Sequence, residues 1–350
     1  MRGSFGPSYL DQLSVPMSTV RSIGLLGEYK GKQQLFEKQS PQMLGALREA
    51  ARVQSIESSN RIEGVVAASG RIADLAAEKT TPRDRSEQEI AGYRDVLSTV
   101  HANALGMDLS TGLILQLHRD MYQFSPAPGG AWKSTPNDIV DVLPDGTHRL
   151  RFAPVPPEFV DAAIRELVTG YHSVASASQI DPLITVPAFV LDFLCIHPFS
   201  DGNGRLSRIL NLMLLYQSGY DVGRYISLEK VIENSKETYY EALEASSEGW
   251  HEGQHDLVPW LQYSHGVLIA AYLEFEQRVG QMGPGRGAKR EMVIDCIRHL
   301  PASFRYADVE RACPGVSRPT IVRVLGELRD HDEIRCVKGG RDATWERTAQ

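Results

Sequence analysis

One short segment constrains this chain more than any other. It reads His197-Pro198-Phe199-Ser200-Asp201-Gly202-Asn203-Gly204-Arg205-Leu206-Ser207-Arg208. An apolar run that ends at Ile196 precedes it, and apolar residues spaced as one helix face, from Leu206 to Leu214, follow it. The segment therefore predicts a buried helix, a tight loop and the start of a second helix.

The loop and the second helix have the composition of a polyphosphate site. Gly202 and Gly204 allow the backbone to approach a ligand closely, and a helix N-terminus adds free N–H groups and a positive dipole end. Arg205 and Arg208 are three residues apart, so the spacing places both near one helix face, where guanidiniums could bind phosphate oxygens.

Two further residues of the segment suit the chemistry of a nucleotide. Asp201 offers a hard oxygen ligand for Mg²⁺. His197 has an ordinary pKa near neutrality and is the natural general base. A calcium loop is excluded because Arg205 would fall on a ligand position, and a zinc site is excluded because His197 has no second His or Cys at ligand spacing.

The segment closely resembles the signature of the Fic family, His-Pro-Phe-x-Asp/Glu-Gly-Asn-Gly-Arg-x-x-Arg, and matches every fixed position. The resemblance extends more loosely from about residue 55 to about residue 279. It implies a mostly α-helical bundle that transfers AMP from ATP, with Mg²⁺, to a hydroxyl side chain. His197 would be the base, Asp201 the metal ligand, and the ATP-binding residues Asp201, Gly202, Asn203, Gly204, Arg205, Leu206, Ser207 and Arg208.

An upstream string, Ser59-x-x-x-Glu63-Gly64, closes a helical pattern that starts near Pro41. Ser59 and Glu63 share a helix face, and Gly64 is a natural terminator. By itself the string is typical of a solvated helix end. Beside the signature it resembles the family's inhibitory motif, which implies that Glu63 pairs with Arg208.

Two more sets of residues follow from the resemblance. Residues 129–147 combine turn residues with β-favouring ones, which predicts a hairpin, and a second turn signal at 144–147 closes it. The family counterpart is a flap that holds the target chain, here through Asn137, Asp138, Ile139 and Val140. Tyr239 and Ser247 would lie beside the nucleotide base.

The composition is typical of a soluble globular protein. The net charge of −7 argues against coating by nucleic acid, and no apolar run reaches transmembrane length. The four cysteines form no Cys-x-x-Cys pair and are read as reduced thiols. The first residues contain no apolar signal core, so we expect a cytoplasmic protein without a membrane partner.

The sequence predicts three regions. They are an N-terminal helical region (1–110), with an irregular lead-in to residue 40, a catalytic core with the flap (111–283), and a C-terminal module (284–350) beyond a Gly-rich linker. This module carries 13 Lys and Arg against 10 Asp and Glu, whereas the rest of the chain is acidic. Its pattern of three helices and a hairpin resembles a winged helix, with Ser317 as the N-cap of the helix that would read DNA through Arg318, Thr320 and Arg323.

These observations predict a protein adenylyltransferase that acts on a Ser, Thr or Tyr hydroxyl of a target protein, and on itself, and that Glu63 inhibits. Three alternatives stay open from the sequence: removal of AMP, use of another phosphate-linked donor, and a nucleotide-sensing DNA-binding regulator. For the C-terminal module, binding to DNA and binding to protein are both open, as is a homodimer.

Overall fold

A computed structural model describes residues 3–39, 41–126, 129–142, 147–177, 180–279, 288–313, 316–340 and 343–348. These residues form a mostly helical protein with two small antiparallel sheets. The helices of the larger part are α1 Met17–Gln39, α2 Pro41–Ile62, α3 Ser69–Ala76, α4 Arg85–Asn103, α5 Thr111–Met121, α6 Val160–Ala177, α7 Pro182–Ile196, α8 Asn203–Gln217, α9 Leu228–Asn234, α10 Lys236–Ser247 and α11 Val258–Val279.

Helix α7 forms the centre of the larger core. Asp181 caps its start by accepting the N–H of Leu183, and Pro182 occupies the first turn, where no N–H is needed. Almost every later residue of α7 is buried, and the helix packs against α6, α8, α10 and α11. A helix that is apolar all round must be enclosed in this way, and the segment His197–Arg208 follows it directly.

The N-terminal segment is fixed to α7 through a buried carboxylate. Asp192 accepts hydrogen bonds from the backbone N–H and the hydroxyl of Ser4 and from Nε1 of Trp250. Burial raises the pKa of Asp192 to about 6. Contrary to the prediction of an irregular lead-in, Met17–Gln39 is helical, and Tyr29 of α1 stacks on Tyr272 of α11.

The predicted hairpin is present as β1 Ile139–Val142 and β2 His148–Phe152, which pair antiparallel. The second turn signal at 144–147 falls mainly on residues 143–146, which lie outside the described residues. Residues of β2 contact α10, so the hairpin lies beside the helix that carries Tyr239 and Ser247.

The C-terminal part has its own hydrophobic core, separate from the larger one. Its elements follow the order α12 Ala288–His299, β3 Ser303–Arg305, α13 Tyr306–Ala312, α14 Arg318–Asp330, β4 Ile334–Lys338 and β5 Thr344–Arg347, with strand order β3-β5-β4. Helix α13 packs against α10 and α11. Ser317 precedes α14, but its hydroxyl forms a hydrogen bond with that of Thr320 and caps no backbone N–H. The predicted linker at 280–287 lies outside the described residues.

Candidate active site

His197 stands at the end of α7 in a left-handed conformation (φ 50°, ψ 61°), and its N–H bonds the Phe193 carbonyl. Its Nδ1 lies 3.2 Å from the carbonyl oxygen of Leu194. A carbonyl only accepts, so Nδ1 carries the hydrogen and Nε2 keeps its lone pair. Burial lowers the pKa of His197 to about 4, so the ring is neutral at pH 7 and can accept a proton.

The loop after His197 turns at Gly202, whose φ of +83° is unfavourable for other residues. A Cβ there would also meet Met121 and Tyr122. Asn203 begins α8, and its amide closes the loop on Phe199 by accepting the N–H at 2.9 Å and donating to the carbonyl at 2.7 Å. The first N–H groups of α8 have no partner within the helix, which is the usual setting of an anion site.

The carboxylate of Glu63 lies at the start of α8. Glu63 follows α2, where Gly64 (φ +79°) ends the helix as predicted. One carboxylate oxygen of Glu63 lies 2.9 Å from Nη2 of Arg208. A Cβ built on Gly204 would lie only 2.2 Å from the same oxygen, so Glu63 lies directly against the first turn of α8.

Arg208 is held on α2 as well as by Glu63. Its Nε donates to the hydroxyl of Ser59 and its Nη2 to the Ser59 carbonyl, both at 2.9 Å. Burial by itself lowers the pKa of Arg208, but the Glu63 carboxylate raises it above its ordinary value. Ser59 and Glu63 of the upstream string are therefore both in contact with Arg208.

Arg205 is placed differently from the prediction. Its side chain is 1% exposed, and its guanidinium pairs with the buried carboxylate of Glu89 at 2.7 Å. Its Nη2 donates to the hydroxyl of Tyr122. The guanidinium therefore links α8 to α4 and to the end of α5 and is not presented to a ligand.

Three more predicted ATP-binding residues lack a free side chain. Leu206 belongs to the core, and its N–H bonds the Gly202 carbonyl. The Ser207 hydroxyl donates to the carbonyl of Gly204, and the Ser247 hydroxyl donates to that of Glu244.

Tyr239 is also buried, among Tyr240, Trp260 and Tyr263. Burial raises its pKa above the ordinary value. Its neighbour Tyr240 is half-buried, interacts electrostatically with Glu63 and Arg208, and has the Arg151 guanidinium over its ring. Of the two tyrosines, Tyr240 therefore has the more accessible ring beside the site, which the sequence pattern did not single out.

Asp201 is exposed at the edge of the loop, and one carboxylate oxygen accepts the N–H of Gly202. The other lies 3.7 Å from Arg205 and 3.8 Å from Arg85. Among the residues that the structure describes, no group of three His, Cys, Asp or Glu side chains could hold a metal ion. One exposed carboxylate fits Mg²⁺ that arrives with phosphates, because this ion commonly keeps water and phosphate ligands and takes one or two protein carboxylates.

The predicted flap residues divide into two groups. Ile139 and Val140 are in β1, where Val140 is exposed and pairs with exposed Leu150. Asp138 is exposed before the strand. Asn137 turns inward, and its amide donates to the Phe199 carbonyl at 2.8 Å.

Two residues that sequence reasoning missed support the loop from outside. His118 of α5 stacks on Phe199 with ring centroids 3.6 Å apart, and Lys133 is buried with its Nζ 2.6 Å from Oδ1 of Asn137. Neither lies in a recognisable motif, so only a predicted contact with the loop could have found them.

The structure is a helical bundle in which a neutral histidine precedes a glycine-containing loop, a helix start and, nearby, a hairpin, and comparisons with known proteins identify the kind of domain. Residues 108–215 match the Fic/DOC family model. A protein adenylyltransferase of Caenorhabditis elegans, fic-1, is 26% identical over 183 residues, which are 51% of this chain and 32% of the relative. A probable protein adenylyltransferase of Aquifex aeolicus is 31% identical over 177 residues, 49% of each chain. The chain therefore carries a Fic domain.

Solved structures share the fold. A Fic family protein from Desulfovibrio desulfuricans G20 superposes with a TM-score of 0.63 at 20% identity, over 97% of this chain and 98% of the other. A Fic-domain signaling protein from Bacteroides thetaiotaomicron gives 0.61 at 20% identity, over 75% of this chain and 100% of that one. The chain spans between a third and a half of the curated relatives it matches. No helix of the described part of the chain is both long and apolar enough to cross a membrane.

Proposed function

We propose that the protein is an adenylyltransferase that moves AMP from ATP to a Ser, Thr or Tyr hydroxyl of a protein, itself included. The observation that supports this most directly is the neutral ring of His197, with Nε2 unprotonated, next to an anion position at the start of α8. The names of the curated relatives point to the same reaction.

The transfer uses few groups. Nε2 of His197 takes the proton of the target hydroxyl while its oxygen bonds to the α-phosphorus of ATP. The bond from that phosphorus to the bridging oxygen breaks, and pyrophosphate leaves. N–H groups of Gly204 and its neighbours stabilise charge on the phosphate oxygens, and Arg208 binds the terminal phosphates. Mg²⁺, held in part by Asp201, would neutralise phosphate charge.

We further propose that Glu63 inhibits the enzyme. Its carboxylate lies on Arg208 and against Gly204, where a phosphate oxygen would find the same partners. ATP would then bind with its α-phosphorus out of line, and a misplacement of about 1 Å can cost on the order of 100-fold in rate.

The test is incubation with α-labelled ATP and Mg²⁺, alone and with cell extract. We expect label on protein with Glu63→Gly and none with the double variant Glu63→Gly/His197→Ala. Removing a general base costs ~10²–10⁴ in rate, so equal labelling by both proteins would refute the mechanism. Label that wild type removes from a modified target would favour the reverse reaction instead.

A second candidate function belongs to the C-terminal part, whose order of helices and strands resembles that of a winged helix. Arg318 and Arg323 are exposed on the first half of α14, the half that contacts bases in helix-turn-helix proteins, while the acidic residues Asp330, Asp332 and Glu333 are exposed at and beyond its end. We propose that this surface binds duplex DNA.

Fluorescence anisotropy of the full chain with a labelled random-sequence duplex tests this second function. Binding should weaken with salt and with Arg318→Ala/Arg323→Ala, but not with Arg165→Ala, whose side chain is exposed on α6. No binding at low salt would favour a protein partner.

A further inference from the structure

The carbonyl groups of the loop that carries His197 are held from outside by groups to which the proposed mechanism gives no role. The carbonyl oxygens of residues 196, 197, 198, 199 and 201 each accept a hydrogen bond from a residue of α5 or of the segment before β1. A loop without regular structure becomes rigid when its backbone acceptors are satisfied in this way.

The segment before β1 supplies most of these donors. The N–H of Lys133 bonds the Pro198 carbonyl at 2.9 Å, and its Nζ lies 3.4 Å from the Ile196 carbonyl. Nζ also donates to Oδ1 of Asn137 at 2.6 Å, which turns the amide NH₂ of Asn137 toward the carbonyls of Phe199 (2.8 Å) and His197 (3.4 Å). Lys133 thus orients the Asn137 amide, which in turn holds the loop that carries His197.

His118 supplies the last donor, and its tautomer is defined by its partners. Nδ1 accepts the N–H of Gly130, so Nε2 carries the hydrogen and donates to the Asp201 carbonyl at 3.0 Å. The ring stacks on Phe199 with an angle of 4° between planes.

We propose that Lys133, Asn137 and His118, which we call the loop brace, are positioning residues that hold His197 in line with the α-phosphorus and link it to the hairpin. Asn137 is only two residues before β1, so a displacement of the hairpin moves the amide that holds the loop. The role in catalysis rests on the proposed function, whereas the effect on the His197 ring can be measured without it.

Kinetics in the Glu63→Gly background test the catalytic role. Asn137→Asp keeps the acceptor for Lys133 but removes the donor to Phe199, and Asn137→Ala removes both. We expect kcat for AMP transfer to fall about 10- to 100-fold with KM for ATP within about twofold, because positioning of the base is lost and the phosphate contacts are kept. Thr135→Ala, an exposed neighbour in the same segment, should change neither constant.

Long-range ¹H–¹⁵N correlation of the histidine rings gives the second readout, with the His197 signal assigned by its loss in His197→Ala. The Nδ1–H form should dominate in wild type and Thr135→Ala, and the two tautomers should average in Asn137→Ala. A His197 ring unchanged by both Asn137 variants would overturn the brace even if transfer occurs. If Glu63→Gly transfers no AMP while the ring responds as expected, the proposed function fails and the brace stands.

Discussion

Replacement of Glu63 by glycine is the most informative perturbation of this molecule. The carboxylate makes two contacts that a phosphate would need, a charged hydrogen bond to Arg208 and close approach to Gly204. Glycine removes the charge and the volume together. Glu63→Gln keeps the volume and an acceptor oxygen but removes the charge, so it separates the two effects.

The expected gain in the rate of AMP transfer follows from the hydrogen bond between Glu63 and Arg208, which ATP must replace. A hydrogen bond between charged groups contributes about 1.5–3 kcal/mol, and the 31% exposure of the Glu63 side chain favours the lower part of that range. Each 1.4 kcal/mol is about tenfold in an equilibrium constant. We therefore expect Glu63→Gly to raise AMP transfer by about 10- to 100-fold and Glu63→Gln by less.

The assay follows label from α-labelled ATP into protein and, separately, loss of label from a modified target. Unchanged rates in both reactions would show that the contact of Glu63 with Arg208 does not inhibit the enzyme. Unchanged transfer with loss of AMP removal would assign it a hydrolytic role. Calorimetry with ATP on the same proteins tells whether the gain lies in affinity or in the rate of the bound complex.

Four further outcomes are expected. The kcat/KM of Glu63→Gly should be constant from pH 8 to 6 and fall only as the pH approaches 4, because the pKa of His197 in the folded chain lies below its ordinary 6.5. A loss of activity centred at pH 6.5 would contradict this prediction. The free energy of unfolding should fall as the pH drops from 6.5 toward 4, and chemical denaturation across this range checks it. Burial lowers the pKa values of four histidines, His101, His118, His197 and His255, to about 3–4, so only the unfolded chain takes up their protons in this range. Asp192, whose pKa is raised in the folded chain, offsets this effect by about one proton. Arg205→Ala should destabilise the fold by about 3 kcal/mol or more in urea, because it leaves the Glu89 carboxylate buried without this partner, whereas a change under 1 kcal/mol would argue for a ligand-binding role. Glu63→Gly should strengthen binding of ATP more than that of ADP, which lacks the terminal phosphate that competes with Glu63. If calorimetry shows equal gains in affinity for the two nucleotides, Glu63 does not compete with the terminal phosphate.

A sequence pattern could identify those residues whose structural roles depend only on their neighbours in the sequence. The end of α7, the turn at Gly202 and the start of α8 follow from glycine conformation and apolar spacing. The contact of Ser59 and Glu63 with Arg208 was predictable only because a resemblance joined two distant strings. Arg205 shows the limit, since helical spacing cannot reveal that Glu89 of another helix neutralises one of two neighbouring guanidiniums.

The same limit explains the elements that were missed. Helix α1 contains Gly24, Gly27 and Gly31, which weaken a helical pattern, and it is stabilised by packing on α11. Strand β3 has three residues and exists because β5 pairs with it. Asn137 was assigned to target binding by resemblance to the family's flap, but its amide is directed to the loop by Lys133, a partner four residues away.

The contact between Glu63 and Arg208 also indicates where the proposed phosphate site lies. Glu63 is an anion within the chain that approaches the first turn of α8 and the guanidinium of Arg208 at the same time. Helix starts and guanidiniums both attract anions, so their convergence on one carboxylate marks where they would converge on a phosphate. Arg208 is also held by Ser59, so we expect the guanidinium to stay in place for a ligand when Glu63 is removed. We therefore expect inhibition and phosphate binding to be two uses of one site, which a change at Glu63 alone would exchange.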